Sequence, residues 1–174
     1  MWSRCERPAE VWPLGYVPSM GVRRFSYSAE GNCPPERFIK ALTDMTPDRP
    51  RYWPGQTANQ YKVLETGDTW ALIREGTGTT WEQSRYDWST PGVVRSTVED
   101  SNFLKPGTTW EFRVKPRPGG GCHVDATLTR NFTGLQGTLV QALTYVPGGP
   151  GLVFSRVLKR TLDILEKEDA REAR

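Results

Sequence analysis

The chain contains one histidine, His123, so any Ser-His-Asp or Cys-His mechanism would have to use it. Cys122 adjoins it, but neighbouring residues of a strand point to opposite faces, which places the two poorly as a dyad. Asp125 shares the face of His123, and that face has the polar pattern of a solvent side, so a surface His–Asp contact is expected. A lone histidine argues against a histidine-based metal centre, and no metal or cofactor is expected. Cys5, Cys33 and Cys122 are an odd count without a CxxC pair, so they read as reduced thiols rather than a disulfide framework or a zinc site. The glycine runs at Gly76–Thr79 and Gly119–Gly121 join strands and lack the Gly-Lys-Ser/Thr helix start of a phosphate loop. Pro147–Gly151 precedes a helix whose N-terminus would attract an anion, yet a helix stop and restart is the plainer reading.

The remaining candidates are polar side chains on otherwise apolar strand faces. Arg130 follows Leu128 on one such face. It would either pin an acidic head group by a bidentate contact or sit at a rim with its head in water, the rim being slightly favoured. Tyr86 and Ser96 are further candidates to orient a ligand or move protons.

These residues need elements to hold them. Alternation of Phe25, Tyr27 and Ala29 with polar residues predicts a strand over 23–32. Pro34-Pro35-Glu36 opens a helix with Phe38, Ile39 and Leu42 on its apolar face, and Pro47 stops it. The proline-broken stretch from Asp48 to Gly55 has room for one helical turn. Six strands follow with turn residues between them: Tyr61–Thr66, Thr69–Gly76, Trp81–Ser89, Val93–Asp100, Thr108–Lys115 and Cys122–Phe132. Short turns of this kind make an antiparallel meander.

From Thr133 to Arg174 the pattern is a long amphipathic helix, interrupted once at Pro147–Gly151. Leu135, Leu139, Val140, Leu143 and Val146 precede the break; Val153, Phe154, Val157, Leu158, Leu162 and Leu165 follow it on the same expected buried face. Thr133 and Gln136 have capping-box spacing, and Asp163 and Lys167 are spaced as an ion pair.

Strand parity gives an expected inner surface. Trp110, Phe112 and Val114 share one face, as do Ala126, Leu128 and Arg130, and Val94, Ser96 and Val98. Tyr86 and Trp88 are placed inward with Ser84. Trp70 and Leu72 are placed inward too, with Ala71 and Ile73 competing for that role. Leu139, Leu143, Phe154, Val157 and Leu158 would complete the surface from the helix. Each aromatic here has a second reading as plain core packing.

The composition (174 residues, 25% charged, 36% hydrophobic, net charge +3) fits one soluble domain, with residues 1–20 as an irregular arm, 21–170 as the domain and 171–174 as a frayed tail. Met20 directly precedes the first regular element and is an alternative translation start. No dense basic stripe is present, so nucleic-acid binding is not expected. No apolar run approaches the roughly 18 residues of an integral membrane segment. No secretory signal is visible, so a cytoplasmic location is expected and the sequon at Asn131 is without consequence. The oligomeric state is left open.

The strings WALIREGT (Trp70–Thr77), WEQSRYDWSTPGVVRSTVEDSN (Trp81–Asn102) and PGTTWEFRVKP (Pro106–Pro116) resemble an uncharacterised bacterial branch of the START-like (SRPBCC) superfamily, which includes polyketide cyclase/dehydrase-like proteins. That resemblance implies an α+β helix-grip fold: a curved seven-stranded antiparallel sheet wrapped around a long C-terminal helix, with short helices after the first strand. It also implies a mainly apolar cavity for a lipid, polyketide or similar hydrophobic small molecule. Two functions follow from it, a carrier or sensor as the leading one and a cyclase or dehydrase-like enzyme using the same cavity as the runner-up; a third class is a ligand-free adaptor whose partner binds the N-terminal arm or the Pro147–Gly151 corner. The enzyme reading requires a polar cluster deep in the cavity; the adaptor reading requires a sealed interior.

Overall fold

The computed structural model describes residues 21–53, 56–144 and 149–172. The expected arm at 1–20, the corner at 145–148 with Val146 in it, and the last two residues lie outside this set, as do the side chains of Leu143 and residues 149–151. The alternative start at Met20 therefore falls outside it too.

Seven strands form one antiparallel sheet in the order β1-β7-β6-β5-β4-β3-β2. They are β1 (Arg23–Gly31), β2 (Lys62–Thr66), β3 (Trp70–Thr77), β4 (Thr80–Asp87), β5 (Val93–Ser101), β6 (Thr109–Pro116) and β7 (Cys122–Arg130). β2 to β7 run as the expected meander, and β1 closes against β7. The connection between β1 and β2 holds helix α1 (Pro35–Thr43) and two single 3-10 turns at Arg49–Arg51 and Ala58–Gln60. The C-terminal part is two helices, α2 (Gly134–Leu143) and α3 (Gly149–Glu172). A bulge opposite Gln83/Ser84 shifts the β4–β5 register and bends the sheet. Tight turns need glycine at particular places: Gly121, with φ +81°, turns β6 into β7 so close to β1 that a Cβ would lie 2.2 Å from the Gly31 carbonyl oxygen.

The core lies between the inner sheet face, α1 and α3. Phe38, Ala41 and Leu42 of α1 share one buried cluster with Val94, Phe112, Val124 and Ala126 of the sheet and with Leu158, Leu162 and Leu165 of α3. α3 packs closely on β1 at Gly31, where a Cβ would meet Leu162 Cδ2 at 2.8 Å. The second half of α3 is also tied down by polar contacts. Thr161 Oγ1 donates to the Tyr52 carbonyl at 2.7 Å, Glu166 accepts from the Asn32 amide at 2.7 Å, and Arg37 bridges Glu168 and Asp169 at 2.7 and 2.8 Å. A sheet gripping a C-terminal helix is the arrangement expected from the sequence.

Three local expectations are corrected. Leu135 and Leu139 point outward, 79% and 62% exposed, and α2 instead buries Gly137 and Gln141. The helix lies so near the Phe103 carbonyl that a Cβ on Gly137 would come within 2.6 Å of it, so a leucine face does not fit there. Thr133 occupies the N-cap without a side-chain cap bond, and Gln136 accepts from Asn102 instead. In α3 Asp163 pairs with Lys159.

Candidate functional site

A cavity of about 350 Å³ opens between the inner face of the sheet and the two C-terminal helices. Its walls are chiefly aromatic. Trp53 follows the first 3-10 turn, Phe25 comes from β1, Trp81 from β4 and Trp110 from β6, with Phe132 and Phe154 at the helical side. Val140 of α2 and Val157 of α3 add aliphatic surface. The wall is braced from behind: Trp53 meets Trp110 edge-on with centroids 6.2 Å apart, and Phe38 meets Trp53 at 6.5 Å and Phe112 at 6.3 Å.

The floor is charged. β3 presents Ala71, Ile73 and Glu75 inward, and β4 presents Glu82, Ser84 and Tyr86. The register sets Glu75 directly across from Glu82 and Ile73 across from Ser84. Glu75 is 6% exposed and heavily partnered. The Tyr86 hydroxyl donates to its Oε1 at 2.7 Å, the Gln56 amide donates to Oε2, and Arg49 Nε lies 3.6 Å from Oε2. Arg49 is itself fully buried, donates from Nη1 to the Leu42 carbonyl, and stacks over the Tyr86 ring at 4.6 Å. Burial works against its charge, but Tyr86 and Glu75 hold its pKa above the ordinary value.

Glu82 has fewer partners. Arg130 Nη1 lies 3.3 Å from Oε2, and Oε1 accepts from Ser84 Oγ at 3.5 Å. Burial pushes the Glu82 carboxyl above the usual carboxylate range; the facing Glu75 adds to this and Arg130 opposes it. Burial likewise raises the Tyr86 phenol, so it is a neutral donor. The arrangement therefore combines aromatic walls with two carboxyl groups in unlike surroundings.

Of the residues expected to line a cavity, Trp110, Arg130, Phe154 and Val157 do so. Arg130 is buried rather than at a rim with its head in water. Tyr86 and Ser96 are buried, and Tyr86 acts beneath the floor through Glu75. Val94, Phe112, Val114, Ala126 and Leu158 belong to the packed core, with Trp88 against it. Val98 packs with Leu104 and Phe132, and Leu128 is fully buried. Trp70 and Leu72 have the parity opposite to Ala71 and Ile73: Trp70 lies under the Arg85 guanidinium at 4.2 Å, away from the cavity. Leu139 is exposed, and the side chain of Leu143 lies outside the described set. Glu75, Glu82, Trp53 and Arg49 were not among the expected site residues.

His123 is on the outer face, 3.0 Å from Asp125 and 3.4 Å from Glu30, the expected surface contact. Cys122 faces the other way, with its sulfur 4.0 Å from that of Cys33 in the core. Among the described residues no cluster of potential metal ligands occurs, and no helix is long and apolar enough to cross a membrane.

No protein-family model matches the sequence, and no curated protein is significantly similar to it. Solved structures do match in shape. A protein of Thermus thermophilus is 17% identical, covering 84% of this chain and 99% of that one at a TM-score of 0.66. The Zhui aromatase/cyclase of Streptomyces sp. R1128 is 15% identical, with 88% and 97% covered and a TM-score of 0.61. A START superfamily protein of Mycobacterium smegmatis is 11% identical, with 83% and 92% covered and a TM-score of 0.55. The strand order, the short helix after β1 and the long C-terminal helix give this chain the START-like helix-grip fold.

Proposed function

We propose that the chain binds a hydrophobic, ring-containing small molecule in the cavity between sheet and helices. The observation carrying this reading is the largely aromatic wall around about 350 Å³ of space, with a few polar groups, Glu75, Glu82 and Arg130 among them, set into it. Ligand sites of about 300–1,000 Å³ have this make-up, apolar walls for affinity and a few polar groups for orientation. An open cavity also speaks against a ligand-free adaptor. The proposed domain is residues 21–170, and the proposed site of action is the cytoplasm.

Native mass spectrometry of the full chain, mixed with a panel of fatty acids, sterols and polyphenols, tests this. The expected result is one retained aromatic ligand per chain. Retention of none across the panel is the contrary result.

A second reading, a cyclase or dehydrase-like enzyme using the same cavity, is supported by the Glu75–Glu82 floor with Tyr86 and Arg130 beside it. One of the matching solved structures is an aromatase/cyclase, which is consistent with it. A carrier has no evident need of two opposed carboxyl groups in its cavity.

A further inference from the structure

Two carboxyl groups directly opposite on one sheet face repel each other and are costly in a dry site. The structure resolves the conflict by treating them differently. Glu75 is enclosed: both oxygens accept hydrogen bonds, from Tyr86 and Gln56, and Arg49 stands behind. Glu82 has a single cation, Arg130, on one oxygen, and the other oxygen has only the long 3.5 Å contact with Ser84. Its side chain is 12% exposed and lines the cavity. Two carboxyl groups in such unlike surroundings can take unlike roles, one held by its hydrogen bonds and one free to exchange a proton.

We propose that Glu82 exchanges a proton with an aromatic carbonyl compound held in the cavity, while Glu75 remains a fixed neighbour that does not transfer. The inference rests on the ligand-binding reading above. The Glu82 carboxylate takes the proton from the carbon beside the carbonyl, and the C–H electron pair passes into an enolate. The charge that collects on oxygen lies in the field of Arg130, the cation lining the same cavity. Return of the proton from Glu82 to another carbon, or to a departing hydroxyl as water, completes an isomerisation or a dehydration without any further reagent. Arg130 acts as a positioning residue for Glu82 in addition to its effect on the oxyanion.

Burial acts first on the ionisation of Glu82, followed by Arg130 of β7, Glu75 of β3 and the hydrogen bond from Ser84 of its own strand; Tyr86 and Arg49 stand behind Glu75, and among the described residues α2 and α3 present Val140, Thr144, Phe154 and Val157 to the cavity. A base must be ionised to act, and burial holds this carboxyl above the usual range. Activity therefore falls as pH drops through a midpoint above that of a free glutamate.

The test uses the full chain and 5-nitrobenzisoxazole, a flat aromatic carbon acid. Removal of its ring C–H proton by a base breaks the N–O bond and releases 2-cyano-4-nitrophenolate, which is read by absorbance. Binding is followed separately by quenching of tryptophan fluorescence. The expected result is saturable turnover, reduced about tenfold or more in Glu82→Gln and partly kept in Glu82→Asp, with the pH midpoint just described; tenfold is below the ~10²–10⁴ typical of general acid–base catalysis because the probe is not a native substrate. If the probe binds but Glu82→Gln turns it over as fast as the parent, or no turnover exceeds buffer, the proton-transfer role is overturned and the binding reading stands. If no saturable quenching occurs, both fall together.

Discussion

Replacing Arg49 by Met is expected to cost about 3–5 kcal/mol of folding stability, the usual penalty for leaving one member of a buried ion pair uncompensated. Arg49 is 1% exposed, and its only anionic neighbour among the described residues is Glu75, 6% exposed and facing a second carboxyl group. Without the guanidinium, Glu75 and Glu82 would share the floor with only Arg130 to offset them. Glu75→Gln is expected to cost a similar amount for the mirror reason, since the Arg49 charge is then left in the core. The double variant should lose less than the sum of the two, by about 1 kcal/mol or more, because the groups act as one unit. Urea unfolding of the four proteins measures this cycle. Single variants within about 1 kcal/mol of the parent would mean that the floor is more hydrated than its burial indicates.

The second large effect is Phe38→Ala, expected to cost about 3–5 kcal/mol, as for other fully buried phenylalanines. Phe38 stands behind the cavity wall, edge-on to both Trp53 and Phe112. Its loss leaves a void against the inner side of Trp53, so the indole can tilt back and widen the cavity. The destabilisation should therefore come with a change in tryptophan emission, measured in the same urea titration. A variant with parent stability and unchanged emission would show that the wall is held from elsewhere.

The sheet and the gripped helix were legible because alternation and turn chemistry are strong along this chain, as in β1, β6 and β7, where the parity read from sequence is the parity found. The floor was harder to see for a specific reason. In β3 the inward phase is Ala71, Ile73, Glu75, and a glutamate at the end of a strand reads as solvent-facing. The sequence alone leaves Trp70 and Leu72 as the more apolar alternative, and the partners that make the true phase tolerable, Tyr86, Gln56 and Arg49, come from elsewhere in the chain. In β4 the alternation itself shows the inward phase Ser84, Tyr86, and carrying it two residues back reaches Glu82. Arg49 and Trp53 lie in a proline-broken connection whose lack of periodicity hides its burial; an aromatic-rich loop was the one available signal. Helix α2 misled in the opposite direction, since its inner side is set by close backbone approach at Gly137 rather than by its leucines.

The central claim, that the cavity takes up an aromatic small molecule, is tested most directly by methyl and indole NMR spectra of the full chain titrated with 2-naphthol. Saturable shifts are expected at Val140 and Val157 and at the indole protons of Trp53 and Trp110, all of which line the cavity. Shifts confined to the exposed Leu135, Leu139, Leu152 and Val153, or none that saturate, would contradict it.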